Sequence, residues 1–168
     1  MDKSFLQCPI CKKYPIKTCG YSSCPNTQGN LPVDDSGFVE MFETEPNYFE
    51  SHWQNNELME IPAPKLTIAE KFLKPLAKSK TQILLDVGVG DGVHLTTLKK
   101  QFPNSRLIGL DISRFALAIS QRRVPTANLF IADAANIPLA DNSVDATICY
   151  GVLAYLENPF QGISEIVR

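Results

Sequence analysis

Asp86, Asp111 and Asp133, a run of three glycines and four early cysteines are the residues here whose types and spacing could do chemistry. Asp86 sits in the stretch Ile83–Gly92, which reads ILLDVGVGDG and carries glycines at alternate positions 88, 90 and 92. Glycines in such a loop let the backbone turn sharply and approach a ligand with no Cβ in the way. A carboxylate just ahead of them suits a ligand that carries positive charge. Asp111 ends a second apolar run, Arg106–Leu110, and Asp133 follows a third, Asn128–Ile131. At the other end of the chain, Cys8, Cys11, Cys19 and Cys24 follow the spacing C-x2-C-x7-C-x4-C. Cys8-Pro-Ile-Cys11 can turn two sulfurs toward one ion, and Cys19 and Cys24, eased by Gly20, can complete a tetrahedral set of thiolates for zinc.

The elements that must position the aspartates follow from pattern. A short apolar run bounded by glycines reads as a buried parallel strand. Val93, Leu95, Leu98 and Phe102 then fall near one face of a helix. Strand, glycine loop and helix open a nucleotide-binding βαβ unit. The dinucleotide fingerprint is G-x-G-x-x-G, whereas this spacing is G-x-G-x-G with Val at position 93. No Gly-Lys-Ser/Thr follows, which excludes a phosphate-binding P-loop. Asp86 would repel a pyrophosphate but suits an ammonium group. S-adenosylmethionine (SAM) has an ammonium and no phosphate. A nicotinamide dinucleotide is disfavoured on the same spacing.

An acid at the end of the second strand is placed to accept hydrogen bonds from two ribose hydroxyls. Asp111 could instead cap the next helix, but Ser113 is available for that. The second helix is expected over Arg114–Arg123, with Phe115, Leu117, Ala118 and Ile119 partly buried, and Pro125 ends it. A fourth strand is expected over Val144–Tyr150, with Asp145 structural at its start. A last helix begins after Asn158-Pro159 and carries Phe160, Ile163 and Val167. Cys149, Tyr150 and Gly151 fall at the carboxyl end of the fourth strand, where ligands sit in open α/β sheets. Cys149 reads as a small buried residue. Tyr150 is the candidate catalytic residue, with His94 as a second candidate base.

Three segments in this order, LLDVGVGDG, LIGLDIS and IADAANIPLADNSVDATICYGVLAYLENP, make residues 81–168 resemble the class I SAM-dependent methyltransferases, in particular the type 11 domain. The resemblance implies an α/β fold, a Rossmann-like parallel sheet with flanking helices, of which four strands are present. It implies that Asp86 and the backbone of Gly88, Gly90 and Gly92 hold the methionine end, and that Asp111, with Ile112, holds the ribose. Asp133 would bind the adenine amino group and the Ala134 amide a ring nitrogen. Family members continue to a seven-strand sheet, so the domain is expected to be incomplete at its C-terminus. Its fourth strand would be an open apolar edge that a partner chain could cover.

The expected organisation is a cysteine-rich zinc segment at 1–30, a linker with an aromatic flap at 31–64, and the SAM-binding domain at 65–168. The linker holds a short strand at Gly37–Phe42 and the aromatic cluster Tyr48–Trp53. Leu66–Leu76 has helical spacing. A net charge of −2 supplies no basic field for nucleic acid, although an RNA acceptor stays open beside a small molecule. No apolar run is long enough to span a bilayer, and the N-terminal MDKSFLQCPI lacks the apolar core of a signal peptide, so a cytoplasmic location is expected. The function this implies is methyl transfer from SAM to an unidentified acceptor. The alternative is a non-catalytic SAM-binding or zinc-dependent interaction module, or an inactive methyltransferase fragment.

Overall fold

A computed structural model describes residues 39–40 and 82–168. The four N-terminal cysteines, the aromatic cluster Tyr48–Trp53 and the expected helix Leu66–Leu76 lie outside the described residues. The elements in chain order are β1 (Val39–Glu40), β2 (Ile83–Val87), α1 (Val93–Gln101), β3 (Arg106–Asp111), α2 (Arg114–Arg123), β4 (Asn128–Ile131), β5 (Ala146–Cys149), a 3-10 turn (Leu153–Tyr155) and α3 (Pro159–Val167). β1 falls inside the strand expected at Gly37–Phe42 and pairs with β4.

Every pairing is parallel, and the spatial order is β1-β4-β3-β2-β5. Parallel strands covered on both faces must be apolar on both faces. The β2 and β3 residues divide accordingly, because successive side chains point to opposite sides. Leu84 and Leu107 join Leu95, Leu98, Phe102 and Leu117 under α1 and α2. Leu85, Val87, Ile108 and Leu110 join Phe130, Ile137 and Leu139 on the other face, with Leu156 and Ile166 packed against them. The apolar positions expected on α1 are all buried.

The helices start where their caps allow. Ser113 Oγ accepts from the Ala116 amide at 3.3 Å, as expected for the cap of α2. Asn158 Oδ1 accepts from the Phe160 amide at 3.1 Å, with Pro159 opening α3. α1 starts instead from Gly92, in the left-handed region and with no side-chain cap.

One expected boundary needs correction. β5 covers Ala146–Cys149 rather than Val144–Tyr150. Just before its start, Asp145 binds Ile83 twice: its amide donates to the Ile83 carbonyl at 2.8 Å, and its Oδ2 accepts from the Ile83 amide at 2.8 Å. At its end Gly151, with φ of 71°, turns the chain out of the sheet. The apolar stripe of α3 faces outward: Phe160 and Val167 are 78% and 76% exposed. α3 packs inward through Gly162, against Leu153 and Leu156, and through Ile166, against the core. β5 has β2 as its neighbour in the sheet order and is an edge among the described residues.

α3 is tied to the turn before β5 through Arg168. Its guanidinium donates to the Leu139 carbonyl at 2.7 Å, to the Ile137 carbonyl, to Asp141 Oδ1 at 2.6 Å and to Glu165 Oε2 at 2.8 Å. Glu165 Oε2 also accepts from the Ile137 amide at 2.8 Å. Arg168→Ala would leave two carbonyls and two carboxylates without this partner. It is expected to cost about 1–3 kcal/mol, read by urea unfolding. A change below about 0.5 kcal/mol would show that solvent already serves these groups. Among the described residues, no helix is long and apolar enough to cross a membrane.

Candidate functional site

The chain runs β2, β3, β4 outward in one direction, then returns to place β5 on the other side of β2. In open α/β sheets, ligands bind outside the carboxyl ends of the strands at such a reversal. The glycine loop leaves β2 at that point, and Tyr150 leaves β5 beside it. Asp86, Gly88, Gly90 and Gly92 therefore stand at the switch point. Asp111 and Ile112 stand at the end of β3, and Asp133 and Ala134 just past the end of β4. The described structure brings to one edge of the sheet the residues that the sequence singled out there.

The loop is held from several sides. The Gly88 and Val89 amides donate to the Leu110 carbonyl at 2.8 and 3.0 Å. Asp111 accepts from the Gly90 amide at 3.0 Å through Oδ2, and from the Ser113 amide at 2.9 Å through Oδ1. Asp111 is thus not wholly freed by Ser113, because it also buttresses the loop. Asp133 Oδ1 is engaged with the Ala135 amide at 2.8 Å, a local turn bond that leaves its other oxygen to be accounted for.

Asp86 differs from both. It is fully buried, and among the described residues neither carboxylate oxygen has a hydrogen-bond partner. Burial first, then the nearby Asp111 and Asp91 carboxylates, push its carboxyl well above the usual carboxylate range. A buried, unpaired carboxyl is costly in an apolar surrounding unless a partner arrives. The uncapped amino end of α1 faces the same loop. The arrangement can therefore take a cation near Asp86, while the Gly88, Val89, Gly90 and Gly92 amides are already engaged within the fold.

Two features of the site were not anticipated. Asp91, the residue between Gly90 and Gly92, pairs with Arg123 of α2 at 3.0 Å, with both side chains largely shielded. In sequence, Arg123 reads as no more than a helix-end cation favoured by the dipole. The Val152 side chain also packs against Gly88, closing the floor between the loop and the segment after β5. Sequence spacing carries no signal for either contact, since each joins residues far apart in the chain.

At the mouth, the His94 and Tyr150 rings lie 5.4 Å apart at an angle of 59°. His94 is buried, while Tyr150 is 46% exposed and open to an incoming molecule. Cys149 is half-buried rather than fully buried. Burial, then the Asp86 carboxylate, push its thiol up, partly opposed by a backbone hydrogen bond from Leu153. Thiolate is the reactive form. Cys149 is expected to alkylate several-fold more slowly at neutral pH than an exposed peptide thiol, as followed by peptide mass spectrometry. Alkylation as fast as the exposed reference would contradict the burial. Among the described residues, no cluster of His, Cys, Asp and Glu could hold a metal ion.

The topology and the glycine loop at its switch point define a Rossmann-like α/β domain. Residues 85–168, half of the chain, match the methyltransferase domain family, and the chain belongs to that family. It is 35% identical to a demethylmenaquinone methyltransferase of Thermotoga maritima over 69 residues, which are 40% of this chain and 30% of that enzyme. The fold is similar to that of the plantazolicin methyltransferase BpumL, solved with a desmethylplantazolicin analogue and SAH. That likeness has a TM-score of 0.55 at 25% identity, over 70% of this chain and 46% of the other. It is also similar to a SAM-bound amino pentose methyltransferase from Micromonospora echinaspora, with a TM-score of 0.52 at 22% identity, over 74% and 53%. The chain spans about a third of the length of the curated relatives it matches.

Proposed function

We propose that this chain binds SAM at the β2–β5 switch point and that the protein transfers the methyl group to an acceptor. The observation that carries the reading is Asp86, a fully buried carboxyl beside a glycine loop, with both oxygens unpartnered among the described residues. When bound, SAM supplies a methyl group activated on a sulfonium. Asp86 would accept from the ammonium of the methionine end, and the backbone of Gly88, Gly90 and Gly92 would give that end close passage. Asp111, beside Ile112, would accept from the ribose hydroxyls while still holding the Gly90 amide. Asp133 would accept from the adenine amino group, and the Ala134 amide would donate to a ring nitrogen. Tyr150 is the candidate catalytic residue, since its half-exposed hydroxyl-bearing ring stands at the mouth next to His94. Alignment and exclusion of water can supply much of the rate for such a displacement, so no strong acid–base pair is required.

A small-molecule acceptor is favoured over RNA. The net charge of −2 supports this, as do relatives named for demethylmenaquinone and trans-aconitate. The proposed location is the cytoplasm. There Cys8, Cys11, Cys19 and Cys24 would stay reduced and could together bind one zinc ion. Zinc analysis of the purified chain, with a Cys8→Ser and Cys11→Ser control, tests that part.

The site itself is tested by ultraviolet cross-linking of methyl-labelled SAM followed by peptide mapping. The label is expected on peptides that hold Gly88–Gly92, Asp111 or Tyr150. Labelling elsewhere in a folded chain would overturn the assignment.

A further inference from the structure

We propose that the ligand-free chain carries a proton on Asp86 and gives it up when the cationic head of the ligand enters, so that binding at this site is coupled to pH. The inference rests on the reading of the site as a SAM pocket and assigns a regulation to it.

The geometry carries the argument. Asp86 is 0% exposed, and among the described residues neither of its oxygens has a hydrogen-bond partner. An isolated buried carboxylate in such a place neutralises rather than stay charged. The charged groups around it offer no relief. Asp111, from the end of β3, adds negative charge while its oxygens serve the Gly90 and Ser113 amides. Asp91, from the loop, adds more, and the cation from α2, Arg123, is paired to Asp91 at 3.0 Å. From β5, Cys149 presents a thiol that the Asp86 carboxylate itself pushes up. The rings of His94 of α1 and Tyr150 past β5 meet at a tilt of 59° at the mouth. Burial and the two neighbouring carboxylates thus act in one direction on Asp86.

The step balances simply. In the ligand-free chain one Asp86 oxygen holds a proton through an O–H bond. The ligand enters with its amine already protonated, the O–H bond breaks, and the proton leaves to solvent. The carboxylate keeps the electron pair and meets the ammonium, which is unchanged. The entering cation supplies the compensation that the site lacks, so carboxylate and ligand stabilise each other's charge. By linkage, affinity then rises with pH while Asp86 is protonated in the free chain, and levels off once it is ionised.

The test has two parts. Calorimetric titration with SAM at about pH 5, above the ordinary carboxylate range and with an α-amino group fully protonated, is run in several buffers of different ionisation enthalpy. The slope of the observed heat against buffer ionisation enthalpy is expected to approach release of one proton per ligand bound. Affinity is expected to rise close to tenfold per pH unit below the levelling point. Heat that does not depend on the buffer, with normal binding, would overturn the proposal. The second part needs no ligand. The infrared spectrum of the free chain at the same pH is expected to show a protonated-carboxyl stretch that fades on raising the pH and is missing from Asp86→Asn. Absence of that band from the folded wild-type chain would overturn the proposal. The band without any SAM binding would support the protonated carboxyl and sink the SAM reading instead, which separates the two.

Discussion

Asp86→Asn is expected to remove SAM binding almost entirely while leaving the sheet folded. The amide is close to the carboxyl in size, so the packing of Leu85 and Val87 on either side is kept. What is lost is the single negative charge placed to meet the ligand's ammonium. Removing one partner of a buried ion pair costs about 3–5 kcal/mol, because the other charge is left without compensation. That corresponds to roughly two to four orders of magnitude in Kd. Titration calorimetry on wild type and variant, with circular dichroism to confirm folding, measures it. A loss of less than about tenfold in a folded variant would mean that the ammonium is held elsewhere.

The same substitution has a stability consequence of opposite sign. The Asp86 carboxyl is raised from an ordinary value of 3.8 in the folded protein. As pH rises above about 4, the unfolded chain releases this proton while the folded chain retains it. Folding stability therefore declines with pH through that window, and the decline ends once the folded carboxyl has ionised too. Asp86→Asn has no such proton. Without ligand, its stability should gain on wild type steadily as pH is raised, as read by urea unfolding at a series of pH values. Parallel curves would show that Asp86 is compensated in the folded state. A residue that costs stability until its ligand arrives belongs to a binding site rather than to the core.

Gly88→Ala is expected to be the most damaging substitution in the loop. Gly88 has φ of 70°, a conformation that L side chains rarely adopt, and a Cβ there would fall inside the Val152 side chain. Backbone strain of about 1–3 kcal/mol would combine with overpacking of about 1–3 kcal/mol. Gly151 provides the control. Its φ is 71°, but a Cβ would meet nothing within 4 Å. Gly151→Ala should therefore cost the same backbone term of about 1–3 kcal/mol and little else. The difference between the two thermal unfolding midpoints isolates the contact between Val152 and the loop. Equal losses would mean that Val152 yields without cost.

Much of this arrangement is legible in the residues themselves. Apolar runs between glycines and prolines announce β2, β3 and β4, and the boundaries of β2 and β4 fall where the runs begin and end. Ser113 declares the start of α2. The spacing of Gly88, Gly90 and Gly92 after Asp86 marks the ligand loop, because alternating glycines and a lone acid answer a backbone problem and a charge problem together. The sequence does not show what Asp111 does besides its proposed ligand role. Its bonds to Gly90 and Ser113 depend on how the end of β3 lies against the loop. Nor does it show that Asp91 is held by Arg123, or that Val152 occupies the space a side chain at position 88 would need. Those contacts come from tertiary packing, and local pattern is blind to them. The apolar stripe of α3 misleads for a related reason. Phe160, Ile163 and Val167 have the spacing of a buried face, yet α3 makes its close contact through Gly162, the one position without a side chain to displace its neighbours.

The measurement that bears most directly on the central claim is calorimetric titration of the folded chain with SAM at neutral pH, with NAD+ as the competing ligand. The account predicts a single saturable site for SAM, undisturbed by NAD+, because an ammonium can pair with the Asp86 carboxyl, whereas a pyrophosphate there would bring no cation to compensate it. Saturable binding of NAD+ in place of SAM, or no heat from SAM with a chain shown to be folded, would contradict it.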